Sequence, residues 1–121
     1  MKRVLVIEDD DLLGRMYKKL LERAGYNVEL QTDGKGALLM INSVKFDLVL
    51  LDIMLGGGVN GFDVLEVAKK NPVFTGTKVI IATNLESEEK VAKEIGADGY
   101  FAKTAVKPEG VVAKIAELIG K

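Results

Sequence analysis

Residues 46–53 read "FDLVLLDI". Four aliphatic residues, Leu48 to Leu51, run between Asp47 and Asp52 with no polar position to face water. A strand of that composition is buried on both faces, and such strands belong to the interior of a parallel sheet. Two other stretches read the same way, "RVLVI" at 3–7 and "KVIIAT" at 78–83. By contrast, "YNVELQ" at 26–31 alternates apolar and polar residues, and "GYFA" at 99–102 is short. Both suit the edges of a sheet.

Helical segments separate these strands. "LLGRMYKKLLERAG" at 12–25 places Leu13, Met16, Leu20 and Ala24 on one stripe, so Leu12, Leu13, Met16 and Leu20 are expected mostly in the core. Asp10 or Asp11 can cap its start, and Gly25 suits its C′ position. "DGKGALLMINSV" at 33–44 is a helix weakened by two glycines, and "GFDVLEVAKK" at 61–70 is one stopped by Asn71-Pro72. "ESEEKVAKEI" at 86–95 ends at Gly96, and "KPEGVVAKIAELIG" at 107–120 carries Pro108 in its first turn. Strands alternating with helices give a parallel sheet through right-handed crossovers. Central strands 1, 3 and 4 with edge strands 2 and 5 give the order 2-1-3-4-5, a doubly wound, flavodoxin-like α/β fold of three layers. No internal repeat or linker interrupts it, so residues 1–121 read as a single domain.

Composition excludes much chemistry. The chain has no cysteine and no histidine, which removes disulfides, thiolates, zinc ligation by either residue and imidazole acid–base work. A net charge of −1 gives no general attraction to nucleic acid or anionic membrane. The apolar runs are too short to span a bilayer, and the run after "MKR" is too short for a signal peptide. A cytoplasmic location is the default expectation. The triplet Gly56–Gly58 has no Lys-Ser/Thr after it, so it does not read as a nucleotide-binding loop.

Ligands of open parallel sheets bind beyond the carboxyl ends of the strands. There the sequence places Glu8 and Asp9 after strand 1, Asp52 after strand 3, Thr83 at the end of strand 4 and Lys103 after strand 5. Three carboxylates converging in one crevice stay ionised only with compensating positive charge. Lys103 supplies one unit. A hard divalent cation such as Mg²⁺, or Mn²⁺ in its place, is the natural second source. A carboxylate beside such a cation and a lysine can accept a phosphoryl group, with Asp52 as nucleophile and Thr83 donating a hydrogen bond to the phosphoryl oxygens. Asp10 and Asp11 fit the start of helix 1 better than a metal. Lys90, Lys93 and Lys107 read as solvated helix faces.

In this combination the chain resembles the receiver domain of two-component response regulators over essentially its whole length. The resemblance rests on "VLVIEDD" at 4–10, "DLVLLDIML" at 47–55, "VIIAT" at 79–83 and "GADGYFAK" at 96–103. It implies Asp52 as phosphoacceptor, Asp9 as a direct Mg²⁺ ligand, Glu8 acting through water, and the backbone carbonyl of Met54 as a further ligand. It implies that Thr83 and Lys103 grip the phosphoryl group and that Tyr100 is a switch aromatic, although Tyr100 also reads as an ordinary edge-strand ring. The implied phosphodonor is a histidine kinase or histidine phosphotransfer protein, docking near one edge of helix 1. The implied output is a downstream protein that reads the face of helix 4, strand 5 and helix 5, with no direct contact to nucleic acid or membrane. Such a domain catalyses its own phosphotransfer and slow dephosphorylation while serving as a signalling protein.

Three departures stand out. Thr104 follows Lys103 where the family carries proline after a cis bond, and the isomer is left open by the sequence. Asn84 follows Thr83 where the family places a small residue; its amide could crowd the site or hold the attacking water, and so change phosphate lifetime. The loop "DIMLGGGVNGFD" lacks the family's proline and sets Gly61 one residue further from Asp52, which reads as a flexible insertion that leaves the site intact. Competing readings are a flavin-binding flavodoxin, disfavoured by the acids at 8–11; an aspartate-nucleophile phosphohydrolase, disfavoured by length; and a pseudo-receiver that acts by binding alone.

Overall fold

The structure is a computed structural model that describes residues 1–84 and 86–120. The chain runs β1 (Arg3–Ile7), α1 (Asp11–Arg23), β2 (Asn27–Gln31), α2 (Gly34–Ser43), β3 (Leu48–Leu51), α3 (Gly61–Lys70), β4 (Lys78–Thr83), α4 (Glu89–Ile95), β5 (Gly99–Ala102) and α5 (Pro108–Ile119). Short 3₁₀ turns at Pro72–Phe74 and Glu86–Glu88 precede β4 and α4. All strand pairs are parallel and the order is β2-β1-β3-β4-β5, as strand composition predicts.

Alternation along the central strands divides the core into two layers. Leu5, Ile7, Val49, Leu51, Val79 and Ile81 pack with α2, α3 and α4 through Ala37, Ile41, Val64, Leu65 and Ala92. Val4, Val6, Leu48, Leu50, Ile80 and Ala82 pack with α1 and α5 through Tyr17, Leu21, Val111 and Ile115. Because both faces are covered, no residue of β3 can be polar, which is why "LVLL" is uninterrupted.

Helix α1 corrects one expectation. Its buried residues are Gly14, Tyr17 and Leu21, whereas Leu12 is 71% and Met16 is 42% exposed. The buried stripe is therefore rotated by about one residue from the all-aliphatic one. Gly14 is the reason: a Cβ there would stand 3.0 Å from Leu30 Cδ1 and 3.5 Å from Glu8 Cβ, so the helix closes on the sheet through its glycine. Asp10 is the N-cap, its Oδ1 accepting from the Leu13 N–H at 3.1 Å, and Asp11 begins the helix. Helix α4 is also shorter than expected, because Glu86–Glu88 form a 3₁₀ turn and no side chain caps the α-helix that follows. Among the described residues no peptide bond is cis, so Lys103–Thr104 is trans. Among the described residues no helix is long and apolar enough to cross a membrane.

Candidate functional site

Strand register brings the strand ends together. Ile7, Leu51 and Ile81 stand side by side across β1, β3 and β4, and the residues that follow them emerge at one edge. The Asp52 N–H donates to the Ile7 carbonyl at 3.1 Å, which fixes Asp52 beside Glu8. Thr83 pairs with Ala102 at the end of β4, and the Lys103 N–H donates to the Thr83 carbonyl at 3.0 Å, so Lys103 leaves the sheet next to Thr83.

The side chains converge. Lys103 Nζ lies 2.5 Å from Glu8 Oε1 and 2.7 Å from Asp52 Oδ2. Asp52 Oδ1 accepts from the Met54 N–H at 3.1 Å, and Glu8 Oε2 accepts from the Asp10 N–H at 3.2 Å. Glu8 is 2% and Asp52 5% exposed, and Thr83 is fully buried. Asp9, Asn84 and Met54 are exposed at the mouth of the crevice. Tyr100 is half-buried against the α2–α3–α4 layer, opposite Ile81. All the residues that strand-end reasoning singles out therefore lie at one end of the sheet or beside it.

Glu8 and Asp52 share the one ammonium of Lys103, with the Asp9 carboxylate beside them. Burial pushes Glu8 from its ordinary 4.5 to about 7, helped by the charge of Asp52 and opposed by Lys103. Burial alone would lower the pKa of Lys103, but its hydrogen bonds and attraction to Asp52 and Glu8 outweigh that and raise it. Lys103 thus stays charged between the two carboxyl groups. Among the described residues, Glu8, Asp9 and Asp52 offer carboxylate oxygens that lie within 4.8 Å of one another. An all-oxygen donor set with surplus negative charge and one exposed member suits a hard cation that keeps some of its water.

Sequence reasoning overlooked Tyr17. Its buried phenol has a pKa raised by burial and lies close enough to respond to Lys103, Glu8 and Asp52. Its spacing of three from Gly14 was the available signal.

Residues 4–116 match the response regulator receiver domain. The chain belongs to this family.

This receiver domain is 35% identical over 104 residues to the response regulator ArlR of Staphylococcus saprophyticus, covering 85% of the chain and 46% of that protein. It is 34% identical over 116 residues to the DNA-binding response regulator MtrA of Mycolicibacterium smegmatis, covering 94% of the chain and 49% of that protein. The chain spans about half the length of these curated relatives. A CheY-like response regulator receiver domain protein from Methanospirillum hungatei superimposes with a TM-score of 0.87 at 35% identity, covering 97% of this chain and 92% of that one. The chemotaxis response regulator CheY4 of Vibrio cholerae gives a TM-score of 0.87 at 27% identity, covering 98% of each chain. Receiver domains act in phosphorylation-dependent two-component signalling, generally bind Mg²⁺ at an acidic pocket, and interact with histidine kinases or phosphotransfer proteins.

Proposed function

We propose that Asp52 is the phosphoacceptor of this receiver domain. The observation that carries the reading is the Lys103 ammonium held between the buried carboxylates of Asp52 and Glu8, at 2.7 and 2.5 Å. A carboxylate oxygen of Asp52 attacks the phosphorus of a phosphohistidine on the partner protein. The P–N bond breaks, the imidazole departs with the electron pair, and an acyl phosphate remains on Asp52. Before transfer, Lys103 donates a hydrogen bond to Asp52 and so orients its carboxylate. Afterwards its ammonium pairs with phosphoryl oxygens, and the Thr83 hydroxyl donates to another of them. Asp9 directly, Glu8 through water, Asp52, and the Met54 backbone carbonyl would hold Mg²⁺ or Mn²⁺. Such an ion, when bound, neutralises charge on the phosphoryl oxygens and helps orient them.

The movement of Thr83 toward the phosphoryl group makes room for Tyr100 to turn inward. That shifts the population of the face formed by α4, β5 and α5, which a downstream protein reads. In hydrolysis a water attacks the phosphorus, the Asp52–phosphorus bond breaks and phosphate leaves. Asn84, exposed next to Thr83, would hold that water.

The test is intact-mass analysis after incubation with acetyl phosphate and Mg²⁺. One added phosphoryl group that is lost in Asp52→Asn, and lost again with chelator, is the expected result. No Mg²⁺-dependent adduct, and no response to beryllofluoride, would overturn the reading in favour of a module that acts by binding alone.

A further inference from the structure

The β3–α3 connection carries Asp52 and Met54, and it returns to the sheet through two close approaches. At the first, the Gly61 N–H donates to the Ile53 carbonyl at 2.8 Å. A Cβ on Gly61 would stand 2.2 Å from the Asp52 carbonyl oxygen and 2.4 Å from Ile53 Cα. At the second, Val59 lies over Gly34, the first residue of α2. A Cβ on Gly34 would stand 2.5 Å from Val59 Cγ1, 2.6 Å from the Val59 carbonyl oxygen and 2.7 Å from Val59 Cβ. Neither glycine has a positive φ. Both positions need glycine because another part of the chain occupies the place of a side chain.

Between these anchors and buried Leu55 lie three glycines, of which Gly57 and Gly58 have positive φ. Gly56, Gly57 and Gly58 are exposed, and a Cβ on any of them would meet nothing within 4 Å. The extra length of the loop therefore falls in an exposed arch whose glycines pack against nothing. The other path is stiff. Val59 is two residues from Gly61, the Asn60–Asp63 capping box fixes the turn between them, and Gly61 abuts the main chain of Asp52 and Ile53.

We propose that Gly34 is a positioning residue for the metal and phosphoacceptor site, acting through Val59 and Gly61 on the backbone of residues 52–54. The inference rests on the Mg²⁺ site proposed above. It assigns control of that site to a helix that contributes no ligand. A side chain at position 34 would push the Val59 carbonyl, not merely a mobile side-chain end, and Asn60 and Gly61 would follow. Groups that orient ligands without touching the metal typically change affinity by roughly 10- to 100-fold.

Mg²⁺ affinity should be measured by isothermal titration, at a pH where Glu8 is ionised, for the wild type, Gly34→Ala, Val59→Ala and Gly56→Ala. Backbone amide spectra of the metal-free proteins should be recorded alongside. Gly34→Ala should weaken Mg²⁺ by roughly tenfold and shift the Asp52 and Ile53 amides, while Gly56→Ala stays within about twofold. Val59→Ala, which empties the seat without a clash, should weaken binding by about threefold and serves as the test if Gly34→Ala does not fold. Adding Val59→Gly to Gly34→Ala removes two of the three clashing atoms and should recover part of the loss.

Wild-type affinity in folded Gly34→Ala, or in Val59→Ala where the former is unfolded, would overturn the proposal. So would a loss in Gly56→Ala as large as in Gly34→Ala. Failure of the wild type to bind Mg²⁺ would instead overturn the metal site itself.

Discussion

Glu8 is the residue on which the site's electrostatics turn. Its folded-state pKa of about 7 lies above the ordinary 4.5, so the folded protein holds a proton that the unfolded chain releases across that interval. The folded state binds more protons there, and stability must fall as pH rises from about 4.5 to about 7. The loss is on the order of 3 kcal/mol as an upper bound. Lys103 does not contribute in that window, because its raised pKa gives stability that is lost only as pH climbs through the still higher folded value. Urea denaturation in chelator across this interval should show the decline, and Glu8→Gln should flatten it. Mg²⁺ competes with the proton, so its addition should restore stability most strongly near neutrality. A flat profile in the wild type would contradict the assignment. Also at this scale, Asn84→Ala should slow hydrolysis of the Asp52 acyl phosphate by roughly fivefold if the amide holds the attacking water. Equal decay rates by intact mass would remove that role.

At the scale of elements, the start of helix α1 divides the acids at 8–11 between the helix cap and the crevice. Asp10 caps the helix and Asp9 faces the crevice. Asp10→Ala should cost about 1 kcal/mol of stability and leave Mg²⁺ affinity within about twofold. Asp9→Ala should do the reverse, and the pair of titrations and melts distinguishes them. The same helix tests the corrected packing. Leu21→Ala empties a fully buried position and should cost about 2–5 kcal/mol. Leu12→Ala, on the exposed side, should stay within about 0.5 kcal/mol. If Leu12 proved the more costly of the two, the rotation of α1 on its Gly14 contact would be wrong.

Across the whole molecule, distant segments close on one another at a few polar contacts. The Tyr26 hydroxyl donates to the Gly120 carbonyl at 2.7 Å, tying the α1–β2 corner to the end of α5. Lys69 on α3 pairs with Asp98 at 2.7 Å, and the same carboxylate oxygen accepts the Val79 N–H at 2.8 Å. That contact fixes the chain between α4 and β5 at the end of the sheet opposite Asp52. Tyr26→Phe removes only the donor and should cost about 1 kcal/mol without changing phosphorylation by acetyl phosphate. Denaturant midpoints and intact mass would check both halves. A defect in phosphorylation would show that the corner is coupled to the site.

The strand order, and the convergence of Glu8, Asp9, Asp52 and Lys103 at one edge of the sheet, were legible in the sequence. Each rests on a local property: an interior strand such as "LVLL" must be apolar throughout, and strand ends in a parallel sheet share one edge. The helical boundaries followed from Asp10, Gly25, Asn71-Pro72 and Pro108 for the same reason, since caps and breakers act within a turn. The tertiary structure alone decided which face of α1 is buried, because Gly14 has no hydrophobicity to reveal it and is chosen by what lies opposite. It alone decided that Lys103 bridges Glu8 and Asp52, that Lys103–Thr104 is trans, and that Glu8 holds its proton to about 7. It alone showed Gly34 to be filled by Val59. These depend on distances between residues remote in the chain, which packing sets and which no local pattern encodes.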